Sequence, residues 1–112
     1  MKDRDLRDYI NDLMEACRDI LSFTKGMSYS DFAGDKKTVN AVIRSLEVIG
    51  EATKNLPPSF RNKYPDVPWK QMAGMRDKLI HEYFGIDKQM VWQVVEKHIP
   101  DILPLIKKLS ID

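Results

Sequence analysis

Apolar positions along the chain recur at intervals of three and four, not two. From Leu6 to Thr24 the residues Leu6, Tyr9, Ile10, Leu13, Met14, Cys17, Ile20 and Leu21 keep the period of an amphipathic helix. Gly26 follows, suited to a left-handed C-terminal cap. A polar connector then runs from Ser28 to Lys37, in which Phe32 anchors an expected short helical turn. Val39, Val42, Ile43, Leu46 and Ile49 predict a second helix, closed by Pro57-Pro58. Gly50 within it costs about 1 kcal/mol relative to alanine, so its presence points to a close helix crossing at that position.

Four of the six prolines fall between residues 57 and 68, which makes this the one long irregular connection, with a short turn expected around Ser59 to Lys63. Asp66 is a candidate N-cap and Pro68 falls in a first turn, so a third helix is predicted from near Trp69 through Met72, Met75, Leu79 and Ile80 to about Tyr83. Gly85 stops it. Asp87 can cap a fourth helix, whose stripe is Val91, Val94, Val95, His98, Ile102, Leu105, Ile106 and Leu109. Pro100 and Pro104 each remove a backbone donor, so a break or kink is expected near Ile99. No strand-like alternation competes, and there is no internal repeat. The expectation is all-α: an antiparallel up-and-down four-helix bundle, one domain over residues 1–112, with the last helix kinked or broken near Pro100. The wide apolar stripes leave a face for a partner, and a homodimer is expected.

Composition narrows the function classes. Of 112 residues 43% are apolar and 31% charged, with 18 Lys+Arg against 17 Asp+Glu. A chain of this size buries about two-thirds of its unfolded surface, enough for one core and not for two domains. The longest apolar runs are only a few residues and the first five alternate in charge, so the expected setting is cytoplasmic, neither secreted nor membrane-spanning. The single cysteine, Cys17, lies on the stripe of the first helix and reads as a buried thiol in a reducing compartment. A formal net charge of +1 argues against the broad basic surface of a duplex-wrapping protein, although a local patch can still grip a few phosphates. Residues 57–88 hold a small local excess, with Arg61, Lys63, Lys70, Arg76, Lys78 and Lys88 against Asp66, Asp77, Glu82 and Asp87. Such an excess reads first as a solvated face.

Candidate chemistry is sparse. The only histidines are His81 and His98, and neighbours on a helix such as His81 and Glu82 point about 100° apart, so no metal site is expected. Glycines are too scattered for a phosphate loop, and no cofactor is expected. What remains is Gly74 to Phe84, which brings Arg76, Asp77, His81 and Tyr83 within eight residues. On a helix Asp77 and His81 stack one turn apart, so the carboxylate can fix the imidazole tautomer and raise its pKa. Arg76 and Tyr83 also share a face. Arg76 and His81 diverge by about 140° on a straight helix, so one helix alone does not aim both at one phosphate. Either the helix distorts before Gly85, or two copies of the segment meet across a two-fold axis. The set suits metal-independent RNA cleavage, with His81 moving protons and Arg76 stabilising a phosphorane. Each residue also has a plain structural reading: Arg76 as a surface ion-pairing group, Tyr83 as half core, His81 as a cation favoured by a helix C-terminus. His98 sits on the apolar stripe and reads as a hydrogen-bonded core or interface residue. Trp69 and Trp92, with Met72, Met75 and Met90, read as packing.

At this segment the sequence resembles the HepT-like branch of the HEPN superfamily. The resemblance rests on Arg76-x4-His81-x-Tyr83 with polar Asp77 after the arginine, and on its flanks: Gly50-Glu51-Ala52, Tyr64-Pro65-x-Val67-Pro68-Trp69, Gly74-Met75, Leu79-Ile80 and Val91-Trp92. It covers essentially the whole chain. The resemblance implies a homodimeric helical bundle acting as a ribonuclease toxin in a two-gene toxin–antitoxin system. Arg76 and His81 of both subunits would line a composite cleft. The implied partner is a nucleotidyltransferase antitoxin of the MntA type, which in that family transfers AMP from ATP to the motif tyrosine, here Tyr83. Asp77 stands where many relatives carry Asn and would bias His81 toward its protonated form. The alternative reading is a catalytically silent helical module that binds a nucleotidyltransferase or a nucleotide.

Overall fold

Asp5 opens the first helix with a reciprocal cap: its carboxylate accepts from the Arg7 amide at 2.9 Å, and the Asp8 carboxylate accepts from the Asp5 amide at 3.3 Å. The computed structural model describes residues 5–75, 77, 80, 81 and 85–109, of 80 and 81 the backbone only. Helix α1 (Leu6–Phe23) buries Ile10, Leu13, Ala16, Cys17 and Ile20, the stripe read from the sequence. Gly26 follows at φ +76°, the left-handed conformation expected of it. A second reciprocal cap, Ser28 with Asp31, starts the short α2 (Tyr29–Ala33), which drives Phe32 fully into the core.

Helix α3 (Lys36–Asn55) is capped by Asp35, whose carboxylate accepts from the Thr38 amide at 3.1 Å and the Thr38 hydroxyl at 2.8 Å. The hydroxyl bond first, then the amide bond, hold that carboxyl below its usual range. One helical turn, α4 (Pro58–Arg61), occupies the proline-rich connection, and α5 (Trp69–Ala73) follows. Asp66 does not cap α5: Pro68 is the N-cap residue and makes no side-chain cap bond, while Asp66 stays exposed.

The predicted single helix from Trp69 to about Tyr83 is not what forms. Met75 and Asp77 are helical, but Ile80–His81 is an extended strand, β1, paired antiparallel with β2 (Gly85–Ile86), so that Ile80 opposes Ile86 and His81 opposes Gly85. The expectation of no strands is corrected by this ladder. Leu79 and Tyr83 lie outside the described residues.

Asp87 caps α6 (Lys88–Gln93) as expected, accepting from the Met90 amide at 3.2 Å. The helical path then continues through a π turn, Val94–His98, into α7 (Ile99–Lys107). The proline-induced irregularity expected near Ile99 is therefore a wide turn, not a break. In an α-helix the ring of Pro100 would press on the carbonyl four residues back. Here the Ile99 amide instead donates to Val94, five residues back.

Among the described residues the buried apolar side chains form one cluster. α1 packs along α3, α7 lies against α1, α5 against α3, and α2 bridges α3 and α6. Phe32 meets Trp92 with ring centroids 5.0 Å apart, and Lys88 Nζ donates to the Ala33 carbonyl at 3.0 Å, fixing the start of α6 on the end of α2. The chain is mainly helical, as expected. Met90, read as packing, is instead 42% exposed, one position off the buried stripe of Val91, Val94 and Val95.

Candidate active site

The motif segment leaves the end of α5, and three contacts fix where that end lies. The Trp69 indole is buried, and its Nε1–H donates to the carbonyls of Arg61 at 3.0 Å and Tyr64 at 3.1 Å, which folds the proline-rich connection onto the first turn of α5. Gly50 lets α5 approach α3: a Cβ at that position would lie 3.3 Å from the Ala73 carbonyl oxygen. Met72 and Met75 are buried at 0% and 3% exposure and seat the apolar side of the segment.

Beyond Gly74 the chain is helical at Asp77 and extended by Ile80. The stacking of Asp77 with His81 one helical turn apart is therefore corrected, because His81 does not continue that helix. Departure from a straight helix before Gly85 was one of the two ways of relieving the divergence of Arg76 and His81, and the backbone takes it. Gly85 supports this path at φ +79°, and a Cβ there would meet nothing within 4 Å, so glycine is required by backbone conformation and not by space. Arg76, Tyr83 and the side chain of His81 lie outside the described residues.

Asp77 is exposed and stands at the rim of an open groove of about 890 Å³, together with Lys54, Pro68, Trp69, Lys70, Gln71 and Gly74. Sequence reasoning passed over Lys54 and took Lys70 as part of a solvated face. The signal available for Lys54 was its position one turn beyond Gly50, the residue that marks the crossing with α5. Gln71 was also missed: its Nε2 lies 3.3 Å from His98 Nδ1, tying α5 to the π turn. His98 is thus hydrogen-bonded as read, but half-buried and not in the core.

Cys17 takes no part in this region. Its side chain is fully buried, and desolvation pushes the thiol up to about 12, so the nucleophilic thiolate is suppressed. Among the described residues there is no group of three or more His, Cys, Asp or Glu able to hold a metal ion, and no helix long and apolar enough to cross a membrane.

A family model described as "Ribonuclease HepT-like" matches residues 13–109. The chain belongs to that family. A relative from Methanocaldococcus jannaschii, named "Putative RNase", is 51% identical over 112 residues, all of this chain and 93% of that protein. "Probable ribonuclease HepT" of Thermococcus cleftensis is 48% identical over 106 residues, 95% of this chain and 96% of its own length. A second M. jannaschii protein, "Gamma-glutamylcyclotransferase and putative RNase", is 45% identical over 106 residues, which span 95% of this chain but 48% of that protein. No solved structure matches the chain.

Proposed function

We propose that this HepT-like chain is a metal-independent endoribonuclease and the toxin of a two-gene toxin–antitoxin system. The observation that carries the reading is family membership over residues 13–109, with relatives named as ribonucleases that align along nearly the full chain. In this reading Arg76 and His81 are the catalytic residues and Asp77 supports them. The His81 imidazole takes the proton of a ribose 2′-hydroxyl, and the 2′-oxygen attacks the adjacent phosphorus. The bond from phosphorus to the 5′-oxygen breaks, and that oxygen takes a proton from an imidazolium, leaving a 2′,3′-cyclic phosphate and a 5′-hydroxyl. Arg76 stabilises the phosphorane by paired hydrogen bonds. DNA lacks the internal nucleophile and resists.

The rest of the proposal concerns assembly and control. Two antiparallel HEPN-type bundles pair about a two-fold axis, and Arg76 and His81 of both copies line one cleft. A nucleotidyltransferase antitoxin of the MntA type transfers AMP from ATP to the Tyr83 hydroxyl, releasing pyrophosphate. The added phosphate places negative charge beside the cations of the cleft and repels an RNA backbone.

The decisive experiment incubates the purified chain, shown unmodified by intact mass, with mixed cellular RNA in EDTA beside the His81→Ala protein. Cleavage by the parent that falls by about a hundredfold or more in the variant is the expected result. Intact RNA with both proteins, each folded and dimeric, would sink the ribonuclease reading.

A further inference from the structure

The groove lined by Asp77 also runs along the first turn of α5. It adjoins a second depression of about 410 Å³, and the two share Trp69, Lys70 and Ala73. Lys54 faces the first and Arg61 the second, so among the described residues three cations line the joined surface against one lining carboxylate, Asp77. Lys54 and Lys70 are both exposed. Arg61 is half-buried, and its Nε is buried with no hydrogen-bond partner among the described residues.

This is a local feature and not a sample of a basic protein. The net charge is only +1, and the depressions between α1 and α3 are lined by Asp12, Glu15, Asp19, Glu47 and Glu51, with Arg44 as their one cation among the described residues. Among the described residues the groove presents no aromatic stacking face. Trp69 is 9% exposed and its N–H is committed to two carbonyls, so it offers no stacking face. What the lining offers is positive charge at several points, together with Asp77, which follows Arg76 in the sequence.

We propose that Lys54, Lys70 and Arg61 form a phosphate track that holds the backbone of single-stranded RNA on its approach to Arg76 and His81. The track sets affinity and its salt dependence and leaves the choice of sequence to other contacts. It rests on the ribonuclease reading for the identity of the polyanion.

The test uses the full chain and a fluorescent single-stranded 2′-O-methyl oligonucleotide, which lacks the attacking hydroxyl and so reports binding alone. Its Kd is measured against KCl concentration for the parent, for Lys54→Ala/Lys70→Ala, and for Lys36→Ala/Lys37→Ala. The last pair removes the same charge from the first turn of α3, about 25 Å of helix away. Loss of two single-strand phosphate contacts lowers the log–log salt slope by about 1.4 and weakens binding about tenfold at physiological salt. The control pair keeps the parental slope. Equal losses in both pairs, or none in either, overturn the track. So does a groove variant whose oligomeric state changes by sedimentation, which would make the groove a contact between copies. A parent that binds the oligonucleotide yet fails to cleave RNA overturns only the ribonuclease reading, and a parent that does not bind it overturns the track.

Discussion

The indole N–H of Trp69 serves two carbonyls at once, so replacing the ring by phenyl removes both bonds and leaves each carbonyl only its backbone donor, Tyr64 for Arg61 and Val67 for Tyr64. Trp69→Phe should cost about 1–3 kcal/mol, read as a lower urea midpoint at an unchanged slope. Cys17 gives a pH signature of its own. Burial raises the folded thiol to about 12 from its ordinary 9.0, so above pH 9 the unfolded chain loses this proton while the folded chain keeps it. Stability from this group is complete below pH 9 and declines as pH rises toward 12. Cys17→Ala should flatten that decline in denaturation curves taken across the range. Burial of Cys17 was legible from its place in the stripe, and Asp87 from its place before the fourth helix. Asp66 was not: its sequence position fits a cap, but the Trp69 amide is taken by the Val67 carbonyl at 2.8 Å, a turn that no local propensity announces.

Between elements, the crossing of α3 and α5 is the contact on which the site depends. Gly50→Ala recovers about 1 kcal/mol of helix propensity, but its methyl would sit 3.3 Å from a backbone oxygen, that of Ala73, which has no rotamer to yield. The expected net effect is a loss of about 1 kcal/mol, seen as a lower Tm, with a larger proportional fall in RNA cleavage because Ala73 leads directly into Gly74 and Asp77. The crossing was legible because a glycine within an apolar helix has no local purpose. The strand at Ile80–His81 was not. Leu79-Ile80 continues the helical spacing, and two residues are too few to show alternation. Its partner strand begins at a glycine with positive φ, which the sequence presented equally well as a helix stop. At the far end the two prolines announced an irregularity, but its form, an amide reaching five residues back, follows from packing Ile99, Ile102 and Ile106 into the core without a break.

At the scale of the whole molecule, the helical class and the family were both legible, because apolar period and motif flanks extend through the chain. The candidate site was only half legible, since a site that draws on two copies of a chain would leave no spacing in either. If each cleft takes residues from two copies, activity belongs to the dimer. Specific ribonuclease activity should fall on dilution through the dimer dissociation constant and return on concentration, in step with the dimer fraction by sedimentation. A specific activity that holds constant well into the monomer range would remove the shared cleft. The uneven placement of charge has a kinetic consequence as well. Carboxylates predominate in the depressions between α1 and α3 and cations in the α3–α5 groove, so a chain of nearly zero net charge presents faces of opposite sign. Within about a Debye length, roughly 8–10 Å, a polyanion is drawn to the groove and repelled from the α1–α3 depressions, so the order in which the two faces meet a strand becomes part of the rate of capture.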